Sequence, residues 1–437
     1  MEIKIIQQIY GGSDGSPLFS SDMKNLAEFV QNHITDDTTR LILDREKWSG
    51  IDMDIAVNCI ESRRKLKGKV QEWYDNPELI FPKRLSAEQC SSSHTAAYKA
   101  EVADRILRAD TGKDCYSVAD ITGGLGVDSW YFSRKASRVL YNEMQPDLAE
   151  AARHNFTILG AENLEVSNIC ITDGGEPVLQ KFKPDLIYMD PARRGEGGKK
   201  VFLMEECSPD VLKLKENLFM TARHIMIKLS PMADISMVCN RLGKTCREVH
   251  VISSGGECKE LLIIMDREWE GEYTVVATEI HNDGTSSCLR YIHTEEKSAK
   301  PVFYRDDVSC SSIYGHFLFE PGKSLMKSGA FNLISERFGI SKLGSSTHYY
   351  ITPDNEKAEH LKEFGKVFRI LECTKLDRKG IKYVGKQYPQ AEVTARNIPM
   401  NTETLGKKLG VSSGGHAHIF GIRSDFSGNL LIVCKKF

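Results

Sequence analysis

Nowhere among its 437 residues does the chain place two cysteines in a CxxC spacing; its twelve cysteines stand singly, from Cys59 to Cys434. That spacing argues against a zinc site and a disulfide framework, and fits a reducing cytoplasmic compartment, so no metal is expected. Long apolar runs are missing too: none approaches the roughly 20 residues that a membrane helix needs. The first residues, MEIKIIQQIYGGSDGS, lack the basic start and apolar core of a signal peptide. No repeat or long low-complexity segment occurs. What remains, 41% apolar and 27% charged residues, is the composition of a globular protein too long for one core.

The net charge of -2 hides an asymmetry. From Lys366 to Phe437 there are 13 Lys/Arg against 5 Asp/Glu, a net of +8, so the rest of the chain carries -10. A basic end on an acidic body points to a polyanionic partner, the alternative being a solvated lysine-rich surface.

Residues 1–85 read as helical. Ser21 can cap a helix through His33 with Leu26, Phe29 and Val30 on one face, and a second helix fits Asp52 to Lys67. The two prolines of NPELIFPKRL mark a linker. Residues 86–267 alternate short apolar runs with amphipathic stretches, an α/β pattern. Its strands are expected at Ser117–Asp120, Val139–Glu143, Leu164–Ile171, Asp185–Asp190, His224–Leu229, Arg247–Ser253 and Glu260–Met265. The SGGECK loop between the last two is too short for a helix, so they form an antiparallel hairpin closing a parallel sheet. Residues 268–365 and 366–437 read as two α+β units. In the second, a helix over Thr402–Leu409 and the strands HAHIFGIR and NLLIVCKK are expected.

The strongest local signal is SVADITGGLGVDSW. A strand ending at Asp120 turns through Gly123, Gly124 and Gly126 into a helix. Such a turn brings backbone close to a ligand, and Asp120 can accept from an ammonium group. Glu143, 23 residues beyond Asp120, ends the next strand, where a carboxylate can take both ribose hydroxyls of an adenosine. Asp173, after ICIT, stands where an acid holds an adenine amino group. Three strand-end acids around one glycine turn favour a nucleoside ligand over solvated strand ends. The order DxxGGxG, lacking GxGxxG, together with the hairpin, favours S-adenosyl-L-methionine over a nicotinamide or flavin.

YMDPARR then puts Asp190 and Pro191 at the sheet's carboxyl edge. A carboxylate and a backbone carbonyl there can aim the lone pair of a target amine at a methyl group, and positioning supplies most of such a transfer. Arg193 and Arg194 can hold a phosphate or a base edge, or else pair with a neighbouring carboxylate. DPAR also occurs in pyrimidine C5 chemistry, but the next strand, HIMIKLSPMAD, offers no cysteine nucleophile, and Cys258 reads as an inert thiol. A competing set, Lys99, Asp190, Lys228 and Glu257 or Glu260, has the order of a ribose 2′-O-methyltransferase tetrad. It requires a lysine whose pKa is lowered by its neighbours.

With these segments and LSAEQCSSSHTAAYKA, GGECKELL and FEPGKSLMKSG, the chain resembles bacterial class I S-adenosylmethionine-dependent methyltransferases with a THUMP-like C-terminal domain. The resemblance implies an N-terminal helical region (1–85) and a Rossmann-like methyltransferase core (86–267) whose seven-stranded sheet ends in the antiparallel hairpin. A ferredoxin-like α+β domain (268–365) and a THUMP-like basic domain (366–437) follow. It also implies an RNA substrate, tRNA or rRNA. The assignments are then Asp190, Pro191 and Lys228 as catalytic, Asp120, Gly123, Gly124, Gly126, Glu143 and Asp173 at the cofactor, and Arg193, Arg194 and Lys99 at the substrate. Base-nitrogen methylation leads. The alternatives are ribose methylation, a catalytically silent binding protein, and methylation of a small molecule or protein.

Overall fold

A computed structural model describes residues 23–112, 114–172, 174–193, 204, 207–305 and 312–437. Its contacts divide the chain into two compact units, Met1–Arg247 with Leu262–Gly271, and Glu248–Leu261 with Glu272–Phe437.

The first unit opens with helices α1 (Met23–Asn32), α2 (Thr38–Leu43), α3 (Met53–Leu66), α4 (Gln71–Asp75) and α5 (Arg84–Gln89). Ser21 lies outside the described residues. Leu26, Phe29 and Val30 of α1 pack with Leu41, Ile60 and, from the following core, Ala151. The proline-flanked stretch expected to be a linker is instead fixed. The buried Arg63 guanidinium donates to the carbonyls of Tyr74, Asn76 and Leu79 at 2.8–2.9 Å, and Ile80 exchanges two backbone bonds of 2.8 Å with the Asn155 side chain. Buried backbone must find partners, and these side chains provide them. The N-terminal helices therefore share one unit with the sheet that follows, and no boundary falls at residue 85.

Helix α6 (Ser93–Thr111) begins with a capping box between Ser92 and Thr95 and ends at Gly112, whose φ is 64°. Then come β1 (Ser117–Asp120), α7 (Val127–Ser133), β2 (Arg138–Asn142), α8 (Pro146–Ile158), β3 (Leu164–Ser167), α9 (Pro177–Phe182) and β4 (Leu186–Met189). A short ribbon of β5 (Ala192–Arg193) and β6 (Cys207–Ser208), α10 (Val211–Thr221), β7 (His224–Leu229) and α11 (Ile235–Leu242) complete the alternation. The strands pair in parallel in the order β7-β4-β1-β2-β3. After β3 the chain crosses back to lay β4 on the other side of β1. The carboxyl ends of β1 and β4 therefore flank a topological switch point, where open α/β sheets bind ligands.

Strand β8 (Cys246–Ser254) then turns at Gly255 and Gly256, both with positive φ, into β9 (Glu257–Asp266). This is the hairpin the SGGECK loop predicts. Two further strands follow, β10 (Thr274–Ile280), expected in the ferredoxin-like unit, and β11 (Ser286–Ile292), which the sequence pattern does not single out. Instead β10 runs parallel to β8 and antiparallel to β11. The seven-stranded expectation is corrected by these additions, and the reason is burial. Val275, Val276 and Ala277 are consecutive and all buried, so β10 needs cover on both faces.

Helix α12 (Glu295–Ser298) leads to β12 (Phe317–Pro321), α13 (Lys323–Ser328), α14 (Phe331–Phe338), β13 (Ser341–Lys342), β14 (Tyr350–Thr352), α15 (Asn355–Leu361) and β15 (Gly365–Lys375). The chain ends with α16 (Arg378–Gln387), β16 (Gln390–Arg396), α17 (Thr402–Leu409), β17 (Ser412–Ser424) and β18 (Gly428–Lys436). One seven-stranded sheet, β13-β14-β12-β15-β18-β17-β16, spans the boundary expected at 365/366. Strand β15 sits inside it, paired with β12 on one side and β18 on the other, with Phe368 and Ile370 in the shared core.

Candidate active site

Asp120 ends β1 and is 1% exposed. Its carboxylate accepts from the Ser129 hydroxyl at 2.6 Å and the Thr122 amide at 3.1 Å. Burial pushes its pKa up to about 7, the charges of Asp128 and Asp190 adding to the effect against the Ser129 and Thr122 bonds. A cation arriving beside Asp120 would restore its charge.

The glycines that follow are held tightly. A Cβ on Gly123 would lie 2.1 Å from the Tyr141 ring, and one on Gly126 would lie 2.6 Å from Phe156, with φ already at +93°. The Tyr141 hydroxyl donates to the Gly124 carbonyl at 2.6 Å. The Gly124 amide donates to Glu143 at 2.9 Å, and the second oxygen of Glu143 accepts from the Gln145 amide at 2.9 Å. Glu143, just past β2, is thus locked by one bond to each oxygen and lines the adjoining cavity. Asn142, which the sequence reading missed, accepts from the Ile169 amide and donates to its carbonyl at 3.1 Å, fixing the wall that continues to Thr172. Asp173 lies outside the described residues.

A cavity of about 470 Å³ opens here, lined by Asp120, the glycine turn, Glu143, Ile169–Thr172, Asp190 and, on another side, Gln89 and Ser91. Small-molecule pockets run from about 300 to 1,000 Å³. The acidic floor, the close-approach turn and the locked carboxylate fit a cationic nucleoside such as S-adenosylmethionine.

Asp190 follows β4 across the switch point from Asp120. Its amide donates to the Thr122 hydroxyl at 2.6 Å, tying the glycine turn to the DPARR segment. Lys228 of β7 donates to its carboxylate at 2.6 Å; Asp190 is 37% exposed and Lys228 13%. Pro191 is buried directly after it. Arg193 lies in β5 by its backbone, and Arg194 falls outside the described residues.

Lys99 is placed differently from its expected role at the substrate. It is fully buried behind the cavity wall, 2.9 Å from Asp128 and donating to Ser91 at 2.6 Å. Asp128 also accepts from Ser91 at 2.9 Å and from the Tyr188 hydroxyl at 2.8 Å. Burial works against the Asp128 charge, but Lys99, then Lys228, carry its pKa below the usual range. Lys99 thus neutralises a buried acid, and within the expected tetrad Lys228 pairs with Asp190. Glu257 pairs with Lys259 at 2.7 Å. The sequence offered one clue to this network, since Asp128 closes DITGGLGVD and falls on a helix too buried to leave it unpaired. Burial pushes Cys258 up to about 11, consistent with an inert thiol.

Asp110, His224 and Asp266 lie close enough to share a metal ion. Guanidinium groups fill that space: Arg247 contacts Asp110 and lies 3.1 Å from Asp266, and Arg223 lies 2.9 Å from Asp266. The cluster is a charge-compensated brace, and a cation would have to displace both arginines.

Comparison with known proteins agrees with this architecture. Residues 317–357 match a ferredoxin-like domain family and residues 365–436 a THUMP domain-like family. The crystal structure of a candidate methyltransferase from Porphyromonas gingivalis W83 superposes with a TM-score of 0.81 at 26% identity, covering 96% of this chain and 100% of that one. An uncharacterised RNA methyltransferase of Oceanobacillus iheyensis is 28% identical over 144 residues, 32% of this chain and only 26% of the relative's length. The chain is thus similar over nearly its whole length to that candidate methyltransferase, and its C-terminal segments match ferredoxin-like and THUMP domain-like families.

Proposed function

We propose that the chain transfers the methyl group of S-adenosylmethionine to a base nitrogen of RNA, tRNA or rRNA. The observation that carries this reading is the cavity in which Asp120, the glycine turn, Glu143 and Asp190 meet at the switch point of the sheet. When bound there, S-adenosylmethionine supplies an electrophilic methyl group on a sulfonium.

The residues divide the work. Asp120 meets the ammonium group, giving up its proton as it does so. Glu143 takes the ribose hydroxyls with the lone pairs left by Gly124 and Gln145. Asp190 accepts a hydrogen from the target amine and orients it, while the ion pair with Lys228 holds that carboxylate in place. Orientation of this kind lowers the barrier by prepaying entropy. The withdrawal of Lys99 onto Asp128 favours a base nitrogen over a ribose hydroxyl, because the first lysine of the tetrad is absent from the cavity. RNA as the substrate class draws support from the basic C-terminal segment, the THUMP-like match and the RNA methyltransferase relative.

The test is transfer of labelled methyl to bulk tRNA and rRNA, followed by mass analysis of the digested nucleosides. Asp190→Ala should abolish transfer and leave S-adenosylmethionine binding near normal. A ribose-borne methyl would overturn the base-nitrogen reading, and full activity of Asp190→Ala would remove Asp190 from the chemistry.

A further inference from the structure

Within the C-terminal segment the positive charge is concentrated on helix α16. Its ten residues, RKGIKYVGKQ, hold four cations and no acid. Gly380 and Val384 face the core with the half-buried Ile381. At 100° per residue this turns Lys379, Lys382 and Lys386 to the opposite, solvent side, and all three are exposed.

This arrangement opposes the helix's own stability. Arg378 and Lys379 occupy the first turn, where the helix dipole disfavours positive charge, and only the Asp377 cap offsets them. Arg378 with Lys382, and Lys382 with Lys386, are like charges four residues apart, which destabilises an isolated helix. Solubility needs no such concentration. From Gly365 to Phe437 the cation paired with a carboxylate is Lys407, 2.6 Å from Glu403. Among the described residues the α16 lysines have no such partner.

Neighbouring structure extends the face. Gly385 lies so close to α17 that a Cβ there would stand 1.9 Å from the Leu409 carbonyl, so the end of α17 bearing Lys408 crosses α16 beside Lys386. Tyr383, 48% exposed, stands at the edge of the lysine row. Cations that track a phosphate chain beside exposed aromatic rings on which bases stack are the elements of single-strand recognition.

We infer that the exposed face of α16, with Lys379, Lys382, Lys386 and Tyr383, binds a single-stranded stretch of RNA. Phosphates lie along the lysines and an unstacked base lies on the Tyr383 ring. This deepens the proposed RNA reading and rests on it.

The probes are a labelled 12-nucleotide unstructured RNA and a 12-base-pair RNA duplex, bound to the full chain and followed by fluorescence anisotropy over a salt series. Lys379→Gln/Lys382→Gln/Lys386→Gln, which keeps good helix formers, should weaken single-strand binding at least tenfold. It should also lower the salt slope by about 2, since each lost phosphate contact removes about 0.7. Arginine at the same three positions should retain binding. Tyr383→Ala should cost roughly tenfold on the single strand, within the range for one stacked base, and little on the duplex. S-adenosylmethionine binding should be unchanged in every variant. If the native chain binds neither probe, the RNA reading itself fails. If it binds the single strand and the glutamine variant keeps that affinity and slope, RNA binds elsewhere and this inference alone fails. Equal or tighter duplex binding, indifferent to Tyr383→Ala, would overturn the single-strand assignment.

Discussion

Replacing Asp120 by asparagine should stabilise the empty protein while impairing it as a receptor for S-adenosylmethionine. Burial moves the Asp120 midpoint from its ordinary 3.8 to about 7. At 1.36 kcal/mol per pH unit, keeping this carboxylate ionised in the folded chain costs about 4 kcal/mol. The sign follows from linkage. The folded chain holds the Asp120 proton more tightly than the unfolded chain, so this group lowers stability as pH rises from about 4 to about 7, and the cost is complete above that. The amide introduced by Asp120→Asn carries no charge and keeps an oxygen for the Thr122 amide, so at pH 8 the first unit should melt several degrees higher than native. Near pH 4 the difference should vanish. The ligand's ammonium group favours ionised Asp120, so binding near pH 6 should release a proton, and affinity should climb with pH until about 7. Titration calorimetry in two buffers of different ionisation heat reads that proton directly, and differential scanning fluorimetry reads the melting. An Asp120→Asn chain that melts lower than native at pH 8, or equal native binding heats in both buffers at pH 6, would refute the reasoning.

Gly123→Ala forces a methyl to within 2.1 Å of the Tyr141 ring, whose hydroxyl anchors Gly124, so a loss of about 1–3 kcal/mol and of the ligand-induced thermal shift is expected. Lys228→Met removes the partner of Asp190; methyl transfer should fall about 10²–10⁴-fold in a radiolabel assay while S-adenosylmethionine affinity stays within about threefold. Lys99→Met strands the buried Asp128 charge and should cost about 3–5 kcal/mol by denaturant titration. Adding Asp128→Asn should recover much of that loss. Failure to recover would mean that Lys99 does more than neutralise Asp128.

Much of the site was legible because its residues are local in sequence. Asp120 and its glycines sit within seven positions, and Glu143 and Asp190 follow apolar runs that become strands whose carboxyl ends must share one edge. Sequence order misleads where long-range packing decides. Lys99 has the order of a catalytic lysine, but sequence order cannot say that Asp128 stands 2.9 Å away in the interior. The proline-flanked stretch after α4 reads as a linker until Arg63 and Asn155 are seen to hold its backbone.

The sequence by itself determined which segments become strands and helices, and which acids end up at the carboxyl edge. Periodicity, capping residues and glycine's freedom at positive φ act within a few residues. Tertiary structure alone decided which strands neighbour which, so that β10 joined β8 and one sheet crossed the boundary expected at residue 365. It also decided which charges pair, making Lys228 the partner of Asp190 and Lys99 that of Asp128. Burial and pairing depend on atoms far apart along the chain, whose proximity no local pattern specifies.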